Sequence, residues 1–294
     1  MATSSTVVSL LALLGLASAF SSSRQPSTTL RYFSGSAFKR ACPSLGSSAS
    51  PEGDGPAAVS VDDAATDVPD LPPVPAMSKR LFLVRHGEVI NPGGDRPVYY
   101  GAMDVPLSPL GEREATAAAS YLGRFDLQRV ACSPLSRAVF GAGEVLQMQS
   151  GGAEGLGVTV YDGFMELDRG SWCGRTKEEI GTEAMDRFDA CDESVTPEGG
   201  ESYPALKNRV LRARDELLDI TDCGRASTVV SHLQVTRSML SDAMGIPTEE
   251  MVGLNVSTAS VSCVDYCSVT REQTIHFQSF KPDAGLEKSK DGAN

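Results

Sequence analysis

LFLVRHGEVINPGG, residues 81–94, begins as an apolar run, breaks at Arg85-His86-Gly87-Glu88, and then turns on Asn91, Pro92 and two glycines. The run at residues 80–84 does not alternate with polar residues, so it reads as a strand covered on both faces, as in a parallel sheet between layers of helices. Ligand-binding loops in such sheets leave the C-terminal ends of the strands. Arg85 and His86 therefore stand where chemistry would be placed, and the rest of the chain decides whether they have company.

Helix and strand patterns alternate downstream. Residues 107–125 carry Ser108 as a cap, Pro109 in the first turn and apolar residues on a helical period. Residues 130–133 read as a second strand, 134–148 as a helix opened by Pro134, and 157–160 as a third strand. A helix capped by Thr176 is expected over 176–190, and a long amphipathic one capped by Ser202 over 202–220. Residues 227–231 form the next buried strand, 234–245 the helix after it, and 258–267 with 274–280 a closing hairpin. No internal repeat interrupts this order. The expectation is an α/β fold of three layers, with a mostly parallel central sheet and helices on both faces. In it Ser133 to Arg137 follow one strand and His232 another, so three strand ends bring cations and imidazoles to one rim.

The N-terminus reads as an address. Residues 7–16 (VVSLLALLGL) are apolar but too short to cross a bilayer, and the small residues Ala17, Ser18 and Ala19 follow. Residues 1–19 are thus expected to be a signal peptide. Residues 20–51 hold Arg24, Arg31, Lys39 and Arg40 among many serines and no acid, the composition of a transit peptide. The junction Ala17-Ser18-Ala19-Phe20 resembles the ASAF motif of plastid-targeted preproteins in diatoms and related algae. That resemblance implies delivery to a plastid by way of the secretory route, with secretion as the alternative; from the shortness of the apolar stretch, no stable membrane insertion of the mature protein is expected. Residues 52–78, rich in Pro, Asp, Ala and Gly, read as an acidic linker, 79–281 as the folded domain, and 282–294 as a polar tail.

Charge and cysteine usage narrow the chemistry. The chain carries a net charge of −12, and losing residues 1–51 removes four cations and no acid, which speaks against nucleic acid as a partner. An anion site on so acidic a body must be made by a few local cations. Seven cysteines without a CxxC pair read as free thiols, and with only three histidines no metal cluster is expected. Arginine's planar fork suits phosphate oxygens, and a phosphoryl group in transfer spreads charge over three oxygens that need donors from several directions. Arg85, Arg137 and His232 can supply them, while glycines at 87, 93, 94 and 101 let backbone approach closely.

Five stretches, LVRHGEVINP, SPLSRA, MELDRGSWCG, GGES and VVSHLQVTR, stand in the order found in the histidine phosphatase superfamily, which the chain resembles over about residues 80–280. The superfamily includes cofactor-dependent phosphoglycerate mutases and many small phosphatases. The resemblance implies that His86 is the nucleophile that becomes phosphohistidine, that Arg85, Arg137 and His232 hold the phosphoryl group, and that Glu166 is the proton donor. Asn91, Tyr100 and Gly101 fall where the family contacts phosphate or substrate, and Leu233 with Gln234 replaces two small residues that line the pocket in many relatives. Glu166 must be protonated as the leaving oxygen departs and ionised as water attacks. His86 needs a carbonyl to pin its second nitrogen.

The chain also departs from the family. Gly141 stands where a threonine is common, and Tyr100 where mutases have Ser or Thr. Mutases grip a substrate carboxylate with adjacent arginines after the proton donor, whereas Arg169, Arg175 and Arg187 are all unpaired in sequence here. The reading is a metal-independent phosphomonoester hydrolase of the small-phosphatase branch, acting on a small phosphorylated metabolite without a cofactor. Phosphoglycerate mutase-type transfer and a catalytically silent phospholigand-binding module are the alternatives. No feature names a protein partner or an oligomeric state. Cys173 reads as a passive thiol or a redox switch, Cys263 and Cys267 as core, His276 as structural, and residues 197–202 as the cap of the long helix.

Overall fold

β2 (Ser78–Arg85) lies inside the sheet with Leu81, Phe82 and Leu83 fully buried. Leu81 and Leu83 enter one core and Phe82 and Val84 the other, because successive side chains of a pleated strand face opposite ways. Each contributes about 1.5–3 kcal/mol by leaving water. The computed structural model describes residues 68–149 and 156–282, together with the backbone of Thr28–Leu30. The expected signal peptide, nearly all of the transit-like segment, the linker up to residue 67 and the tail from 283 lie outside the described residues.

β5 (Ala226–Ser231) pairs with β2 in parallel, from Arg80 opposite Ala226 to Arg85 opposite Ser231. β3 (Leu127–Cys132) continues the parallel set beside β5, and β4 (Val158–Val160) beside β3. On the other flank β6 (Val261–Cys267) runs antiparallel to β2 and forms the expected hairpin with β7 (Gln273–Phe280). β1 (Thr28–Leu30), inside the transit-like segment, pairs antiparallel with β4 at the opposite edge. The order β1-β4-β3-β5-β2-β6-β7 sets the C-terminal ends of β3, β5 and β2 side by side, about 4.8 Å apart.

Two helical layers enclose this mixed sheet, giving the expected three-layer α/β architecture. α1 (Pro109–Leu122) and α2 (Ser136–Met148) pack Ala118, Leu122, Ala138 and Val145 over Phe82, Val84 and Val230. Gly141 lets α2 lie close to β5, since a Cβ there would meet Val230 Cγ1 at 3.0 Å. The other face is covered by α5 (Tyr203–Asp219) and α6 (Leu233–Met244), through Leu206, Val210, Val235 and Met239. Among the described residues no helix is long and apolar enough to cross a membrane.

N-cap side chains open three of the six described α-helices. Ser108 Oγ accepts from Gly111 N at 3.0 Å, Ser202 Oγ from Ala205 N at 3.4 Å, and Thr176 forms a capping box with Glu179. Two expectations shift. α2 begins at Ser136 instead of Pro134, because Asp104 Oδ1 accepts from Ser136 N (2.8 Å) and Oγ (2.7 Å) and so caps it from a distant loop. The helix expected over 176–190 divides into α3 (Lys177–Ile180) and α4 (Thr182–Asp189) at Gly181, whose φ of 100° no helix accommodates.

The domain also starts earlier than Lys79. Residues 68–77, assigned to the linker by composition, lie on the fold: Leu71 and Val74 pack against the α1 side of the core. Arg80 Nη1 donates to Pro72 O at 2.8 Å and Tyr121 Oη to Pro69 O at 3.3 Å. His276 has the structural setting expected of it, with Nε2 2.7 Å from Asp265 Oδ2, a carboxylate that Arg80 also grips at 2.7 and 2.8 Å. Cys263 is buried as expected, whereas Cys267, the last residue of β6, is only half-buried. All six described cysteines are free thiols.

Candidate active site

His86, Ser133 and His232 are each the first residue beyond a strand: β2, β3 and β5 respectively. His86 N donates to Ser231 O at 2.9 Å and His86 O accepts from Ala259 N at 3.0 Å, so the ring departs from a backbone fixed on both sides. The chain then bends at Gly87, where a Cβ would lie 2.2 Å from Gly111 O. A Cβ on Gly111 would in turn lie 1.9 Å from Glu88 O. Glycine at both positions lets the bend rest directly on the first turn of α1.

The rings of His86 and His232 are 5.2 Å apart, edge to face, and both are buried. His86 Nδ1 lies 2.6 Å from Gly87 O, the carbonyl partner its role requires. Burial, and then the charges of Arg137 and Arg85, hold its pKa well below 6.5 against the opposing pull of that bond. A neutral ring donating from Nδ1 to a carbonyl keeps the Nε2 lone pair for attack.

His232 is also pushed well below 6.5, by burial first and then by Arg137, His86, Arg209 and Arg85. Its Nε2 lies 2.7 Å from Ser133 Oγ, which already accepts from Leu135 N at 3.3 Å. The Ser133 oxygen keeps a second lone pair for a hydrogen on Nε2, so the contact accommodates either tautomer; when the hydroxyl donates to Nε2 instead, the neutral ring carries its proton on Nδ1. That nitrogen is buried and has no hydrogen-bond partner among the described residues. Ser133 was visible in the sequence only as part of SPLSRA, and its place at a strand end was the signal for this role.

Arg137, on the first turn of α2, is 1% exposed. It donates from Nη1 to Met103 O at 2.7 Å and from Nη2 to Gly101 O at 2.8 Å, over the ring of Tyr100 at 5.5 Å. Two of its five hydrogens are thereby used, and Nε is buried without a partner among the described residues. Arg85 is buried too and donates from Nη1 to Val256 O at 2.6 Å. Burial lowers the pKa of Arg137, partly offset by Tyr100, Glu166 and Asp104. The guanidinium keeps its charge throughout the physiological range.

Glu166 is buried between two short 3-10 turns, Asp162–Phe164 and Gly170–Trp172. Oε1 accepts from Leu167 N at 2.8 Å and Oε2 from Gln234 N at 3.3 Å, which joins it to the first turn of α6 beside His232. Gly101 brings the loop over residues 99–103 onto this segment: at φ 43° its absent Cβ avoids Leu167 O, which it would meet at 2.3 Å.

The residues assigned to substrate have varied settings. Gln234 meets Glu166 through its backbone, and its side-chain Oε1 is buried without a partner among the described residues. Leu233 is half-buried against the α5–α6 core. Tyr100 is 2% exposed with its ring beneath Arg137. Asn91 Oδ1 accepts from Gly93 N at 2.8 Å and so shapes its own turn. Arg169 is buried, its guanidinium 4.7 Å from the Tyr99 ring, while Arg175 is exposed and Arg187 binds Asp192 and Ser194. Cys173 donates from Sγ to Tyr100 O at 3.4 Å, and burial, then Asp168, raise its pKa, which suits a passive thiol. Among the described residues no group of three or more His, Cys, Asp and Glu is arranged to hold a metal ion.

No motif in the sequence marks Arg209 of α5. Its guanidinium binds the carboxylate of Glu201 and the carbonyls of Gly163, Met165 and Glu166. Glu201 belongs to the GGES stretch, one of the five that carry the resemblance and the expected cap of the long helix, neither of which points to a role for this side chain.

A model of the histidine phosphatase superfamily (branch 1) matches residues 81–275. A bifunctional protein from Mycobacterium tuberculosis is 32% identical over 190 residues, covering 64% of this chain and 50% of the relative, so the chain spans about half that protein's length. Phosphoserine phosphatase 1 from Hydrogenobacter thermophilus is 31% identical over 189 residues, 63% of this chain and 85% of its own. The crystal structure of an alpha-ribazole phosphatase from Shigella flexneri matches with a TM-score of 0.56 at 27% identity, over 70% of this chain and 98% of that one.

Proposed function

Since the chain belongs to the histidine phosphatase superfamily, we propose that it hydrolyses small phosphomonoesters through a phosphohistidine formed on His86. One observation carries the reading. Around a buried neutral imidazole, two buried nitrogens have no hydrogen-bond partner among the described residues: Arg137 Nε, a donor, and His232 Nδ1, a donor in the tautomer whose Nε2 accepts from Ser133. Buried donors without acceptors are costly unless something supplies the acceptors, and phosphoryl oxygens do so.

In the first transfer, His86 Nε2 attacks phosphorus while the bond to the leaving oxygen breaks. Arg85, Arg137 and His232 take up the charge on the three equatorial oxygens. Glu166 gives its proton to the leaving oxygen. In the second transfer a water attacks the phosphohistidine, Glu166 takes the water's proton, and phosphate leaves with the Nε2 lone pair restored to His86. Splitting hydrolysis in this way replaces one hard step with two easier ones. The charge is met by arginines, so the reading requires neither metal nor cofactor.

Homologues named as phosphatases support a hydrolase. Against mutase-type transfer, Arg169, Arg175 and Arg187 form no adjacent pair in the sequence, and Arg187 is engaged by Asp192. The decisive assay supplies a phosphoglycerate and a panel of sugar phosphates, and measures inorganic phosphate against isomer formation. Isomer without phosphate overturns the hydrolase. Absence of aryl phosphate hydrolysis, with ligand affinity unchanged in His86→Ala, establishes the silent module instead. We further propose delivery to a plastid through residues 1–51, which a fluorescent fusion of that segment found outside the cell would overturn.

A further inference from the structure

The stretch that carries Glu166 has no strand ladder and only two short 3-10 turns, so its carbonyls need donors from elsewhere. One side chain supplies three of them. Arg209 donates from Nη1 to Gly163 O (3.0 Å) and Met165 O (2.8 Å), and from Nη2 to Glu166 O (3.1 Å). Nε reaches Glu201 Oε2 at 3.0 Å, and Nη2 also binds Glu201 Oε1. All five hydrogens of the guanidinium are therefore used, which sets Arg209 apart from Arg137 and leaves it no capacity to bind phosphate.

Glu201 completes the clamp from the other side. Its Oε1 accepts from Asp168 N at 3.1 Å, and its own backbone N donates to Asp168 O at 3.0 Å. Residues 163–168 are thus held at five points by one ion pair rooted just before α5 and in its first half. The segment also lies hard against that helix, since a Cβ on Gly163 would meet Ala213 Cβ at 2.5 Å.

We infer that Arg209 and Glu201 are positioning residues for Glu166, fixing the proton donor by clamping the backbone that bears it. The inference rests on Glu166 being that donor. A general acid must come within hydrogen-bond reach of the leaving oxygen, and a misplacement of about 1 Å costs on the order of a hundredfold. In the first transfer, which kcat/KM reports, the clamp therefore acts only through protonation of the leaving oxygen. Leaving groups that depart without a proton do not need it, and basic leaving groups do.

The test compares two substrates in the full-length chain: 4-nitrophenyl phosphate, whose phenolate leaves unaided, and glycerol 2-phosphate, whose alkoxide must be protonated. Glu166→Gln is the reference. It is expected to lose about a hundredfold to ten-thousandfold in kcat/KM on the alkyl ester and far less on the aryl ester. Arg209→Lys and Glu201→Gln are expected to show the same selective loss in kcat/KM, about tenfold to a hundredfold on the alkyl ester, with inhibition by inorganic phosphate little changed. Lysine cannot replace the fork, having three donors on a single nitrogen. Equal losses on both esters in Arg209→Lys and Glu201→Gln, or no loss on either, would overturn the inference. If Glu166→Gln itself shows no preference for leaving group, the proton-donor reading fails instead. Should Arg209→Lys not fold, Glu201→Gln, which keeps the side-chain shape and leaves Arg209 in place, carries the same comparison.

Discussion

His86, Ser133 and His232 stand one residue beyond three adjacent strands, whereas Glu166 stands in a loop that no ladder supports. The first group inherits its spacing from the sheet, and the hydrogen bonds that fix β2 to β5 also fix the two imidazoles. Glu166 depends on side-chain donors from α5 and a backbone amide of α6. The same site therefore contains a half placed by the fold and a half placed by a few added bonds. A phosphate-holding cradle tolerates little variation between substrates, since the phosphoryl group is common to all of them. The leaving group varies, and its side of the site is built from loops that can change without disturbing the sheet.

The comparison is sharpened most by substitution in the sheet-borne half. His86→Asn is expected to lower kcat on 4-nitrophenyl phosphate by roughly a millionfold, as loss of a nucleophile does, and to abolish the base-stable phosphoenzyme. A loss below a hundredfold would move the nucleophile elsewhere. Arg137→Ala should cost about 3 to 4 kcal/mol in kcat/KM and relieve inhibition by inorganic phosphate. Arg137→Lys should recover little of it, because two bonds to Met103 O and Gly101 O need the fork.

Acid should strain the same half. His86 and His232 are held neutral with pKa values well below 6.5, while in the unfolded chain imidazoles take up protons as the pH falls through about 6.5. The unfolded state then binds more protons, so stability is full above about pH 6.5 and falls as the pH drops towards the lowered folded values. Each histidine contributes up to about 1.4 kcal/mol per pH unit in that window. Urea midpoints between pH 8 and 5 measure the slope, and His232→Gln should remove its own share. A slope unchanged in that variant would place the acid sensitivity elsewhere. The smallest effect is expected in the loop half: Asn91→Ala loses one turn bond to Gly93 N, about 0.5–1.5 kcal/mol, and should raise KM with kcat intact. A fall in kcat instead would tie that turn to the chemistry.

What could be read from the sequence divides along the same line. The apolar run of β2, the caps Ser108, Thr176 and Ser202, and the histidines at strand ends are local patterns, and each was legible. Asp104 capping α2 and Arg209 clamping residues 163–166 join positions about 30 to 45 apart in the chain. No periodicity announces such pairs. Tyr100 shows a further limit: its position beside Gly101 was readable, but whether its ring met the substrate or lay beneath Arg137 depended on packing. The break at Gly181 was hidden because an apolar pattern continued through it, while the glycine's positive φ turned the chain.

The strap over residues 68–77 bears on where the polypeptide can be cut. A cleavage anywhere in residues 52–67 removes none of the described contacts except the pairing of Thr28–Leu30 with β4. A cut at residue 79 would take away Leu71 and Val74, leave the Arg80 fork without its Pro72 acceptor, and leave the Tyr121 hydroxyl without Pro69 O. Recombinant protein beginning at 79 would then expose the part of the α1-side core on which Leu71 and Val74 rest, so poor solubility of such a protein would report the missing strap and not the catalytic domain.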